Sequence, residues 1–205
     1  MQIDPAQQSI STNYKLLTSL VVPRPIAWIT SLSPTGVVNL APYSFFNAVG
    51  TNPPYIIVSV GRNDDGSLKD TARNIVANSA FVVHMVTEEL FDAMNISAAN
   101  FPSEASEVDA TNLHTVPSAH ISVPRLAEAK VSMECKLHSV QRLGMHSIFI
   151  GEVVMYHVAD ELLNDRMRIC NFIPIGRMGG GSVYCRTNNQ FDDERITYAD
   201  WCKGR

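Results

Sequence analysis

The sequence has few cysteines, and none of them are paired at the spacing of a metal or redox motif. The four cysteines are Cys135, Cys170, Cys185 and Cys202, with no Cys-x-x-Cys among them. This spacing argues against a zinc knuckle and against a dense disulfide framework. We therefore expect free, mostly buried thiols and a reducing compartment, the cytoplasm.

Positive charge and long apolar runs are also scarce. Sixteen Lys and Arg stand against 20 Asp and Glu, a formal charge of −4, so the chain lacks the basic field that nonspecific nucleic-acid binding requires. The apolar stretches, such as Pro53–Val58, are far shorter than the ~20 residues of a membrane helix. The first residues show no basic flank and no apolar segment of a secretory signal. Neither nucleic acid nor a membrane is predicted as a partner.

Familiar catalytic and nucleotide motifs are missing as well. His-x-His, HExxH, GxSxG, SxxK, GxGxxG and GxxxxGK[ST] do not occur, so neither a metal site nor a hydrolase is indicated. The glycines Gly179–Gly181 lack a strand–turn–helix context, and a flexible turn is favoured over a phosphate loop. No catalytic acid, base or nucleophile is predicted.

What the sequence does contain is a series of short strands. At 205 residues, 45% of them hydrophobic, the chain can bury a core in one main domain. A short N-terminal helix is predicted before Pro23. Residues 131–137 alternate apolar and polar side chains, which predicts a half-buried antiparallel strand with Cys135 on its core face and not a redox centre. Predicted strands are Ile26–Leu32, Val37–Leu40, Tyr55–Val60, Phe81–Val86, 131–137 and Ser147–Val158. This arrangement indicates an antiparallel barrel or sandwich with helices at its ends.

Two segments suggest a binding site. Ser67 is predicted to cap a helix whose first turn contains Lys69 and Thr71, and a helix N-terminus with a cation and a hydroxyl suits a phosphate monoester. A capped surface helix with a solvated lysine is the alternative. Asn39–Asn47 mixes amide, hydroxyl and aromatic groups, as a flat heteroaromatic ligand requires, although a buried aromatic cluster would have a similar composition.

These segments belong to an ordered set of blocks: Arg24–Ser31, Asn39–Asn47, Pro53-Pro54, Lys69–Ile75, Pro124–Leu126, Glu134-Cys135, Gly151–Val154, and Arg177–Gly180 with Tyr184. In this order, from about residue 20 to 185, the blocks resemble the flavin reductase-like FMN-binding split-barrel family. The sub-branch that they resemble includes flavoredoxins and the reductase components of two-component monooxygenases.

The resemblance implies a mainly β (α+β) fold, a six-stranded antiparallel split β-barrel with flanking helices that binds FMN near a homodimer interface. Residues 1–19 would form an N-terminal segment, 20–185 the split-barrel domain and 186–205 a C-terminal tail. Thr30 and Ser31 would lie beside the isoalloxazine, and Lys69 and Thr71 would hold the phosphate. The other implied FMN-binding residues are Asn39, Ala41, Ser44, Phe46, Asn47, Arg177 and Tyr184.

Three functions follow from the resemblance. The first is an oxidoreductase that passes hydride from NADH or NADPH to FMN, with a flavin-accepting monooxygenase as partner. The second is a flavoredoxin-like FMN electron carrier that meets a redox partner without its own NAD(P)H turnover. The third is a split-barrel protein that binds heme or flavin without turnover. The sequence leaves the choice among them open.

Overall fold

A computed structural model describes residues 1–203, so the last two residues of the predicted C-terminal tail, 204 and 205, lie outside the described residues. The strands are β1 (Arg24–Pro25), β2 (Ala27–Leu32), β3 (Val38–Tyr43), β4 (Phe46–Thr51), β5 (Pro54–Gly61), β6 (Ala80–Met85), β7 (Thr115–Val116), β8 (Arg125–Leu126), β9 (Val131–Leu143), β10 (His146–Val158), β11 (Ile175–Arg177) and β12 (Tyr184–Arg186). The helices are α1 (Ile10–Leu20), α2 (Asp70–Asn78), α3 (Phe91–Ile96), α4 (Glu107–Ala110) and α5 (Tyr198–Lys203). Within residues 1–203, no helix is long and apolar enough to cross a membrane.

Seven strands form the main antiparallel sheet, in the order β3-β2-β6-β9-β10-β5-β4. The predicted mainly β fold is confirmed, but the expected number of six strands in this sheet is wrong. The additional strand is β4, which pairs with β5 from Phe46–Val58 to Thr51–Pro54. Because β4 lies at the edge of the sheet and most of its residues are exposed, it lacks the alternating apolar pattern that identifies a half-buried strand.

The sheet closes on itself into a barrel. Its two edge strands, β3 and β4, are consecutive in the chain and are joined only by Ser44 and Phe45. Two residues cannot cross the width of a flat seven-stranded sheet, so the sheet must curl until its edges lie side by side. The pairing of β4 with β5 continues into this connection, where the backbone N–H of Ser59 donates to the carbonyl oxygen of Phe45 at 2.8 Å.

The barrel interior is an apolar core to which β2, β5, β6, β9, β10 and α2 all contribute. Cys135 is fully buried in it, and burial raises the pKa of its thiol, so its predicted core position is confirmed. Gly151 is required at its position because the ring of Phe81 lies directly over it. A Cβ added at Gly151 would lie 2.6 Å from Phe81 Cζ, closer than two carbon atoms can pack.

A second apolar cluster covers the outer face of β2. Trp28 and Leu40 pack there against Met94 and Val108, which lie on the excursion between β6 and β7. The buried indole Nε1–H of Trp28 donates to Ser97 Oγ at 2.8 Å, and this bond ties the excursion to the barrel wall. The excursion, including the single helical turn α4, is thereby held beside β3.

Candidate functional site

The N-terminus of α2 is open to solvent beside β3. Lys69, and not the predicted Ser67, occupies the N-cap position, and no side chain caps the helix. Ser67 instead belongs to the preceding turn, where its hydroxyl accepts from Asn63 Nδ2 at 3.0 Å. The first amide N–H groups of a helix have no partner within the helix, and here no capping oxygen takes them, so they are free to bind an anion.

Thr71, in the first turn of α2, is the centre of a buried hydrogen-bond network. Its Oγ1 accepts from Asn39 Nδ2 at 2.8 Å and from the Tyr43 hydroxyl at 3.0 Å. Burial raises the pKa of Tyr43 to about 12, so the phenol keeps its proton and donates at neutral pH. Because both bonds use Thr71 as acceptor, its own hydroxyl hydrogen remains available to a ligand.

These residues line a cleft of about 300 Å³ between β3, the start of α2 and the excursion. Four predicted site residues meet here: Asn39, Ala41, Lys69 and Thr71. Across from them lies Glu107, which is buried and accepts from the backbone N–H of Leu40 at 2.8 Å. Burial raises the pKa of this carboxyl above its ordinary value, and the hydrogen bond from Leu40 opposes that shift.

A second cavity, of about 200 Å³, adjoins the cleft through Pro42, Tyr43 and Ala98. Ser44, Arg177 and Tyr184 line it, together with apolar groups from α1, β1–β2 and α3. The guanidinium of Arg177 lies 4.5 Å from the centroid of the Tyr184 ring and also donates to the Tyr184 hydroxyl. The pairing of β1 with β11 and of β11 with β12 brings these residues to the barrel.

Arg24 connects this cavity to α1 and to the segment after β11. It is buried and donates to the carbonyl oxygens of Thr18, Val21 (2.8 Å) and Met178 (3.0 Å), and to Ser44 Oγ at 3.5 Å. The guanidinium therefore caps the C-terminal carbonyls of α1 with a fixed positive charge. The sequence marked Arg24 only as part of a block, because its partners are distant in the chain.

Four predicted site residues do not line either cavity. Thr30 and Ser31 are fully buried on β2, where Thr30 Oγ1 donates to the Pro124 carbonyl oxygen at 2.7 Å and Ser31 Oγ accepts from Asn74 Nδ2 at 3.2 Å. Phe46 packs against the barrel core. Asn47 is exposed on β4 and its side-chain oxygen accepts from the N–H of Ala48 at 2.8 Å. Their roles in binding stay predictions.

Glu107 and Tyr43 are site residues that sequence reasoning missed. Tyr43 lies within the Asn39–Asn47 segment, but only the fold shows that its hydroxyl reaches Thr71. Glu107 lies in a polar stretch without a period, and no sequence signal distinguishes it from the neighbouring acids. Both residues enter the site through contacts between segments that are far apart in the chain.

Comparison with known proteins identifies the family of the chain. Residues 19–172 match the model of the flavin reductase like domain. The chain is 42% identical to nitrilotriacetate monooxygenase component B from Bacillus cereus, with a TM-score of 0.90 over 94% of this chain and 98% of that one. It is 35% identical to the 2-nitrobenzoate 2-nitroreductase of Pseudomonas fluorescens, with a TM-score of 0.88 over 97% of this chain and 98% of that one.

A more distant structure shows the fold alone. A candidate flavin reductase with split barrel domain from Shewanella frigidimarina is 20% identical and superposes with a TM-score of 0.77 over 97% of this chain and 99% of that one. The predicted split-barrel fold and the resemblance to this family are confirmed. With more than half of its length matched by the domain model, the chain belongs to the flavin reductase-like family.

Proposed function

We propose that the protein is an FMN-dependent oxidoreductase that passes hydride from NADH or NADPH to flavin. The observation that carries this proposal is the uncapped start of α2, where Lys69 and the free hydroxyl hydrogen of Thr71 face a cleft in a chain of the flavin reductase-like family. When it is bound, FMN supplies a ring that accepts and passes on hydride. The chain has to bind and orient the ring and leave one face accessible.

The two cavities fit the two ends of FMN. The cleft at α2 offers amide N–H groups, the Lys69 ammonium and the Thr71 hydroxyl, which are the donors that a phosphate requires. The adjoining cavity offers aromatic and apolar walls from Tyr43, Tyr184 and Ile26 for a flat ring. In this assignment Lys69 and Thr71 hold the phosphate, and Arg177 stays near the ring as a cation.

A homodimer is part of the proposal. The apolar side chains of α1 are largely uncovered by their own chain: Ile10 is 91% exposed and Leu20 78% exposed, with Tyr14 and Leu17 half exposed between them. An apolar helix face of this kind, next to a cavity that Tyr14 lines, is suited to a second copy. Light scattering of the purified protein tests this, and a monomer that still binds FMN tightly would contradict it.

The partner that we propose is a flavin-accepting monooxygenase, supported by the 42% identity to a monooxygenase component B. We also propose a cytoplasmic location, supported by four cysteines that form no disulfide in the structure. Both are consistent with a reductase that hands reduced flavin to a second protein.

Anaerobic reduction tests the proposed activity. We expect purified protein, reconstituted with FMN, to bleach when NADH or NADPH is added without oxygen. Protein that holds FMN and reacts with neither nucleotide would be a flavoredoxin-like carrier, and the reductase proposal would be wrong. Protein that does not take up added FMN at all would contradict the cofactor as well.

A further inference from the structure

A third cleft lies away from the cavities described above. It has a volume of about 450 Å³ and is formed by residues 125–130 and by the end of β10. None of its lining residues lines the α2 cleft or the cavity beside it. The residues that line this third cleft therefore have no role in the proposed flavin site.

Two cations and one acid line this cleft. Arg125 and Lys130 both line it, and within residues 1–203 neither has an ion-pair partner. The Nε atom of Arg125 is also buried without a hydrogen-bond partner in that part of the chain. The acid of the cleft, Glu128, accepts from the backbone N–H of His114 with both oxygens and forms an ion pair with neither cation among the described residues. The nearby Glu89 lies outside this cleft, on a neighbouring one that Lys130 also lines.

His157 is the third basic group of the cleft, and a buried acid fixes its orientation. Glu134 is fully buried and accepts from the N–H groups of Ala119 and His120, at 2.6 and 2.8 Å, and from His157 Nε2 at 2.6 Å. Burial raises the pKa of Glu134, but these donors together outweigh burial and lower it. An ionised carboxylate only accepts, so Nε2 carries a hydrogen, and Nδ1 is left without a partner among the described residues.

We infer that this cleft, through Arg125, Lys130 and His157, binds a small molecule that carries a phosphate or carboxylate group. Two cations without ion-pair partners suit an oxyanion with several acceptor oxygens. His157 Nδ1 lies beside them and accepts from a hydroxyl of the ligand in the neutral ring, or donates to an oxyanion in the imidazolium. Hydrolytic chemistry does not follow, since the hydroxyl of Ser132, across from His157 on β9, is fully buried and out of reach of a substrate.

Titration with two probes tests this inference. Inorganic phosphate and succinate are titrated separately into the protein, by calorimetry and by ¹⁵N spectra of labelled histidines. We expect saturable binding of one probe or both, with the His157 signals shifting. Binding of phosphate alone identifies a phosphate group, and binding of succinate alone a carboxylate. In Arg125→Gln and in Lys130→Gln, affinity should fall about tenfold.

Two controls separate this cleft from other anion sites. Arg142→Gln removes an exposed cation from the far end of β9 and should change nothing. Lys69→Ala should leave the His157 response intact, because phosphate bound at α2 does not contact this cleft. The inference fails if neither probe moves the His157 signals, if Lys130→Gln binds as the wild type does, or if Arg142→Gln loses as much affinity. Lys130 is exposed, so its variant remains informative if Arg125→Gln does not fold.

Discussion

The assignment of the phosphate to α2 can be tested by removing one charge. Lys69 is half-buried at the N-cap position of α2, and its side chain makes no capping hydrogen bond to the helix. Lys69→Ala therefore removes the ammonium and leaves the helix in place. A charge-assisted hydrogen bond contributes ~1.5–3 kcal/mol, and partial exposure favours the lower half of that range. We expect FMN affinity to fall about ten- to fortyfold. Riboflavin, which lacks the phosphate, should bind both proteins equally.

Fluorescence quenching with FMN and with riboflavin measures all four affinities. Lys136→Ala, which removes an exposed lysine from β9, is the matched control and should match the wild type with both flavins. Unchanged FMN affinity in Lys69→Ala would place the phosphate elsewhere. Equal weakening for both flavins would mean that the substitution had disturbed the fold and not the phosphate contact.

Thr71 is buried, and so it requires a more conservative substitution than Lys69. Thr71→Val would remove the acceptor of Asn39 Nδ2 and of the Tyr43 hydroxyl, and each buried donor left unpaired costs about 1–3 kcal/mol. The valine variant would therefore lose stability together with ligand binding. Thr71→Ser keeps the hydroxyl and is the variant that leaves FMN binding close to the wild type.

Three further predictions concern stability, each measured by urea unfolding. Gly151→Ala should destabilise the protein by about 1–3 kcal/mol, because its Cβ would overlap the ring of Phe81 inside the barrel, and an unchanged midpoint would contradict that packing. Arg24→Lys should cost about 2 kcal/mol or more, since one ammonium cannot serve four separated oxygens, and full stability would show that the carbonyls are otherwise solvated. The pKa of Glu134 is lowered in the folded protein, so its ionised carboxylate stabilises the fold at pH values above its unfolded pKa of about 4.3. This stabilisation is lost as the pH falls through the folded pKa. Glu134→Gln should therefore be less stable than the wild type at neutral pH, and the difference should shrink below pH ~4.

The strands that could be predicted are those with at least one buried face. The alternation of β9 predicts that strand, although Ser132 and Glu134 on its polar face are also fully buried, because the segment before β8 covers them. β2, β5 and β6 are apolar runs bounded by turns. β4 could not be predicted because an exposed edge strand is stabilised by its pairing with β5 and has no pattern of its own. The helix start at Lys69 was displaced from the predicted Ser67 because the turn from Asn63 takes up the serine hydroxyl.

The site residues also fall into two groups: those that a short segment predicts, and those that only contacts between distant segments bring to the site. Lys69 and Thr71 were predicted because helix-terminus chemistry is local and can be identified in a short segment. The partners of Thr71 come from β3, and Glu107 comes from the excursion, so neither contact leaves a trace in sequence spacing. Arg24 is the extreme case, since one of its acceptors, the Met178 carbonyl, is 154 residues away.

The two halves of the proposed flavin site rest on different support. The phosphate cleft lies within residues 19–172, which match the flavin reductase like domain, so its assignment draws on both the family and the geometry. Arg177 and Tyr184 lie beyond that match, on β11 and β12, and reach the second cavity because β1 pairs with β11. Their assignment depends on strand pairing and on the Arg24 contact to Met178. Changes to this cavity should therefore alter which flavin ring is accepted, whereas changes at α2 should alter affinity for every flavin that carries the phosphate.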